Sequence, residues 1–135
     1  MVGIDSGDPN DKVHTAKGFI SPGLANALTK RLKADTAKVR IAMVHHHPLT
    51  WKKWFSGLEG RDYLIRALAG RCDVLLFGHH HEVGIFHDID GIPLMCASHK
   101  STHYLSGECL MYGLLTVRTA PNAPSKTSYR MVVAQ

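Results

Sequence analysis

The sequence predicts a mixed α/β domain, in which buried strands alternate with helices and pass into antiparallel strands. Three observations lead there. The apolar runs "KVRIAMV" (38–44) and "DVLLF" (73–77) have strand length and end at polar loops. Segments 21–35 and 58–70 carry helical spacing instead. Beyond residue 83, apolar stretches are separated by Asp-Gly and Pro-rich turn signals.

In order, "MVGIDS" (1–6) reads as a short strand followed by a loop rich in Asp, Gly and Pro. In "SPGLANALTKRLKAD", Ser21 suits the helix N-cap and Pro22 the first helical position. Leu24, Ala25, Leu28 and Leu32 then share one helix face. The run 38–44 is a buried strand ending at His45. Residues 58–70 form a second helix with Tyr63, Leu64, Ala67 and Leu68 inward and Gly70 as its C-terminal stop. "DVLLF" is the next strand. "VGIFHDIDGIPLMCAS" reads as a hairpin turning at Asp90-Gly91. "LMYGLLTVR" and "TSYRMVVA" are a last pair of strands, joined by the loop "TAPNAPSK".

The bulk numbers fit one domain over 1–135: 135 residues, 44% hydrophobic and 20% charged. That length supports a core without staples. No apolar run reaches the roughly 18 residues of a membrane span. The polar, acidic start is unlike a secretory signal. Cys72, Cys96 and Cys109 form no CxxC pair, so free thiols in a reducing cytoplasm are expected. A net charge of +5 suits an anionic ligand. The cations are scattered, with only "KRLK" and "WKK" as clusters, so nucleic acid is not expected as a partner.

Six of the ten histidines stand in two internal triplets, His45–His47 and His79–His81. Each follows a buried strand, at the carboxyl end where open α/β sheets gather ligands. Imidazole ligates zinc, manganese, iron and similar ions. Pro48 biases His47 towards an extended backbone, which holds His46 just past its strand. Gly78 permits a sharp turn before the second triplet. If that loop then runs extended, His79 and His81 point one way and His80 the other.

An apolar strand ending "VHHHPL" followed by "LLFGHHH" resembles the C-terminal half of the calcineurin-like metallophosphoesterases, whose later motifs run His-x-Pro and then Gly-His-x-His. The opening "VGIDSG...GFISPGLANALTKRL" is similar to the segment before His-x-Pro in many members. The resemblance implies the C-terminal half of a four-layer α/β/β/α sandwich, with a mixed β-sheet and flanking helices. It implies metal ligands at His46, His79 and His81, with His46 and His79 on one ion and His81 on the other. The ions would be two of manganese, iron or zinc, sharing a bridging hydroxide that attacks a phosphoric mono- or diester. His47, His80 and His103 are candidates for touching that substrate.

The family's upstream motifs are Asp-x-His, Gly-Asp-x-x-Asp and Gly-Asn-His-Asp/Glu. "GDPND" (7–11) matches the second letter for letter, but no Asp-x-His precedes it and no Gly-Asn-His follows it, so it reads as a polar loop. The carboxylate ligands and the proton donor are therefore expected from a missing N-terminal half or a partner chain. A half-sandwich also leaves apolar surface open to a homo-oligomer. The alternative is a non-catalytic metal-binding or scaffold protein on the same fold. Histidine-triad and metallo-β-lactamase patterns are not matched. Trp51, Trp54 and Phe55, with Lys52 and Lys53, could meet a flat or anionic part of a substrate.

Overall fold

A computed structural model describes residues 1–9, 17–49, 57–80, 84–97, 110–120 and 123–134. Its main sheet has five strands: β1 (Val2–Ile4), β3 (Ile41–Val44), β5 (Val74–Phe77), β7 (Ile92–Ala97) and β6 (Gly84–Ile89), in that spatial order. The first four are mutually parallel, and β6 closes the edge antiparallel to β7. Parallel neighbours need crossover connections. Helix α1 (Pro22–Ala34) lies between β1 and β3 in the chain, and α2 (Arg61–Leu68) lies between β3 and β5.

Helix α1 begins as its sequence dictates. The Ser21 hydroxyl accepts the Leu24 amide at 3.1 Å, and Pro22 occupies the first turn. Ala25, Leu28 and Leu32 are buried, and Leu24 packs at their margin. Helix α2 is shorter than the 58–70 expected. Leu58–Glu59 form a strand instead, β4, paired parallel with β2 (Gly18–Phe19), and left-handed Gly60 separates strand from helix. The inward face differs as well. Tyr63 is 42% exposed under the Arg66 guanidinium, while Ile65 is 8% exposed and joins the core. Gly70 follows the helix with φ 65.

Strand alternation splits the sheet's apolar residues between two faces. Ala42, Val44, Leu75, Phe77 and Met95 lie on one face and form the main core with Leu28, Leu32, Leu64 and Leu68, and Ile92, beside the hairpin turn, joins that core. Val74, Leu94 and Cys96 face the other way, and the partly buried Ile41, Leu76 and Leu115 pack against them. Met43 and Ile85 remain exposed.

The β6–β7 hairpin turns where expected. Ile89 pairs with Ile92 across Asp90 (φ 51) and Gly91 (φ 76), the left-handed pair that a two-residue hairpin turn requires. The last two strands, β8 (Leu110–Ala120) and β9 (Ala123–Ala134), form a separate antiparallel pair. They absorb most of the expected loop, Pro124 included. In a two-stranded sheet each strand has an unpaired edge, so a missing amide proton is tolerated. Among the described residues, no helix is long and apolar enough to cross a membrane.

Candidate metal centre

The parallel register builds the centre. Ile4 pairs with Val44, so two residues further Ser6 comes level with His46. Met43 pairs with Leu76, so three residues further His46 comes level with His79. Ser6, His46 and His79 thus lie just past the carboxyl ends of three neighbouring strands, where the Ser6 hydroxyl meets His46 Nδ1 at 2.7 Å and the His46 and His79 rings lie 4.6 Å apart. The Gly78 amide donates to the His45 carbonyl at 3.1 Å and ties the second loop to the first.

His45, His46 and His79 converge there. Each offers a ring nitrogen, and no two of these are more than 4.8 Å apart. His45 Nε2 and His79 Nδ1 are already hydrogen-bonded at 3.1 Å. The ring centroids of His46 and His79 lie 4.6 Å apart. Tetrahedral zinc with bonds of about 2.0–2.1 Å holds its nitrogens about 3.3–3.4 Å apart, so modest ring rotation closes the set on an ion. The donors are all imidazole, which suits zinc and other late first-row ions. An ion here would displace the proton shared between His45 and His79 and release it to solvent.

Local backbone explains the convergence. The chain bends at His45 and His46 directly after β3, so consecutive side chains do not alternate as they would in a continuing strand. In the second triplet the turn falls on His79 itself, with φ 76, and the His80 amide donates back to the Gly78 carbonyl at 3.0 Å. That is a γ-turn with a non-glycine residue at its centre, a sparsely populated conformation. The loop is therefore not extended at His79, contrary to the premise of the alternation argument.

His46 is buried beside Ser6, whose hydroxyl lies 2.7 Å from Nδ1. His47 is turned away from the cluster. Its ring packs edge-on against Phe77 at 4.5 Å, and its Nδ1 accepts the Leu49 amide at 3.1 Å, which puts its own proton on Nε2. His80 meets the His47 ring at 5.2 Å. Of the expected ligands, His46 and His79 come together, and His81 lies outside the described residues. So do His103, His14, His99, Trp51, Lys52, Lys53, Trp54 and Phe55. The sequence reading missed His45 and Ser6. The strand register contained the signal for Ser6, once β1 was known to pair with β3.

A cavity of about 770 Å³ adjoins His47, lined among others by Lys17, Leu49, Arg61, Tyr63 and Arg66. Arg61 anchors its wall. Its Nε donates to the Pro48 carbonyl, and its guanidinium pairs with Asp62 and Asp90. That leaves Lys17 and Arg66 to offset Glu59 along the lining. No protein-family profile and no curated protein matches this chain.

Proposed function

We propose that this chain contributes the histidine ligands of a metal-dependent phosphoric ester hydrolase. The observation behind this is the cluster of His45, His46 and His79 just past the carboxyl ends of adjacent parallel strands. The "HHP" and "GHHH" motifs that supply it resemble those of the calcineurin-like metallophosphoesterases. In that reading the sheet with its helices is one half of the four-layer sandwich. The exposed Met43 and Ile85 lie on the face that the other half would cover. The resemblance assigns a second ion to His81, which lies outside the described residues.

Manganese, iron or zinc, when bound, supplies a water of lowered pKa and offsets charge on the phosphoryl oxygens. The chain's own part is to hold and orient. His45, His46 and His79 fix the ion at the mouth of the sheet. Lys17 and Arg66 add positive charge to the cavity beside His47, whose lining holds none of the three cluster histidines. The cluster contains no carboxylate among the described residues; in this reading the aspartate ligands and the proton donor are those that the resemblance assigns to an N-terminal half or a partner chain. The buried, free Cys72 and Cys96 suit a reducing cytoplasm.

The all-imidazole set favours a second reading, a single-zinc binding protein without catalysis. Hydrolysis of bis-p-nitrophenyl phosphate separates the two. The 135-residue chain alone is expected to work barely above background even with manganese. Joined to, or mixed with, a segment carrying Asp-x-His and Gly-Asn-His motifs, it should gain orders of magnitude in rate. That gain should vanish with His46→Ala or His79→Ala. Zinc binding with no gain in any combination selects the non-catalytic reading. Strong turnover by the chain alone, lost on changing Asp5 or Asp8, would overturn the division between halves.

A further inference from the structure

We propose that Ser6 is a positioning residue for His46, its hydroxyl holding Nδ1 so that the ring meets a metal ion through Nε2. The inference rests on the metal-binding reading above and deepens it. Ser6 is 2% exposed and His46 7%, so neither polar group has ready access to bulk water. Each would be costly to bury without a partner. Their separation of 2.7 Å answers both needs.

Two further contacts confine the ring. A methyl group at Gly18 would lie 2.4 Å from His46 Cγ and 2.5 Å from Nδ1, so the imidazole rests directly against glycine backbone. The Phe19 amide donates to the Ser6 carbonyl at 3.0 Å, and Gly7 bridges to Gly18. Ser6 therefore fixes the strand beneath the ring with its carbonyl and the ring itself with its hydroxyl. Its place is set by register, because Ile4 opposite Val44 brings Ser6 opposite His46.

A hydroxyl fits this task because it both donates and accepts. When Nε2 coordinates a metal, Nδ1 carries the proton and donates it to Ser6 Oγ, the outer partner that a ligating histidine normally has. Without metal, the hydroxyl can turn and donate to Nδ1 instead, since the 2.7 Å contact accommodates either direction. A carboxylate at this buried position would only accept, and would bring a costly charge.

A double-mutant cycle of Ser6→Ala and His46→Ala, read by calorimetric zinc titration of the full chain, tests the proposal. Ser6→Ala is expected to weaken zinc binding about 10–100-fold when His46 is present, and to change it little when His46 is already alanine. Equal weakening in both backgrounds, or none in either, overturns it. A wild-type chain that binds no zinc counts against the metal reading, so the second arm uses none. Nitrogen-15 NMR of the imidazoles in the metal-free chain should give His46 a single tautomer with Nδ1 hydrogen-bonded. Ser6→Ala should move those shifts towards the averaged values of a free imidazole. Unchanged His46 shifts would overturn the role of Ser6 whatever zinc does.

Discussion

His45 Nε2 and His79 Nδ1 lie 3.1 Å apart, so the loops leaving β3 and β5 meet through their side chains as well as through the Gly78 amide and the His45 carbonyl. This makes His45 a full member of the cluster. Structural zinc sites with four ligands are worth about 10–16 kcal/mol, or roughly 3 kcal/mol per ligand, which corresponds to about a hundredfold in affinity. His45→Ala, His46→Ala and His79→Ala are each expected to weaken zinc binding by that order. His47→Ala should do far less, since its Nδ1 is engaged by Leu49. Calorimetric titration checks this, and wild-type affinity in His45→Ala would remove it from the set.

Gly18→Ala places a methyl group inside the space of the His46 ring. The ring must swing away from Ser6, so zinc affinity should fall while the helices keep their content. Zinc titration beside far-ultraviolet circular dichroism separates the two effects. Undiminished binding would mean that the glycine contact does not confine the ring.

The reassigned face of α2 has a stability signature. Leu64 is fully buried in the main core, and truncating such a side chain costs about 2–5 kcal/mol. Tyr63, exposed beneath Arg66, should cost under about 1 kcal/mol on change to alanine. Urea unfolding of Leu64→Ala and Tyr63→Ala measures both. Similar losses for the two variants would contradict the helix orientation.

Burial pushes the Cys96 thiol up from 9.0 to about 12, and burial likewise raises Cys72. A thiol is neutral when protonated, so the folded chain binds this proton more tightly than the unfolded chain. The stability contributed is whole below about pH 9 and is lost as pH rises towards 12. Wild-type stability should therefore fall relative to Cys96→Ala between pH 9 and 11, at up to about 1.4 kcal/mol per pH unit. Chemical denaturation across that range tests the sign. A constant difference would mean the thiol titrates as in water.

Local signals were readable where local physics decides. The cap at Ser21, the spacing of Ala25, Leu28 and Leu32, and the Asp90-Gly91 turn all depend on neighbours within a turn or two. Strands 41–44 and 74–77 declared themselves by apolar composition. The pair Gly18–Phe19 and Leu58–Glu59 could not, because a two-residue strand has no periodicity and exists only through its distant partner. Tyr63 and Ile65 flank the stripe of Leu64, Ala67 and Leu68 on opposite sides of the helix, and local spacing does not decide which flank packs inward; Ile65 does.

The site divides in the same way. Position after a buried strand, reinforced by the resemblance, singled out His46 and His79. His45 enters because the chain bends directly after Val44, which a reading of regular alternation does not anticipate. Ser6 enters through strand pairing between residues forty apart in sequence.

That separation has a consequence for the order of events as the chain folds. Ser6 and His46 are 40 residues apart, His45 and His79 are 34 apart, and Arg61 and Asp90 are 29 apart. None of these contacts can form within a single hairpin or helix; each waits for loop closure and for neighbouring strands to find register. During synthesis, a nascent chain that has not yet released residue 79 from the ribosome has no complete imidazole set. An ion bound by the finished set would stitch β3 to β5, and so would favour the assembled sheet over any partly folded intermediate.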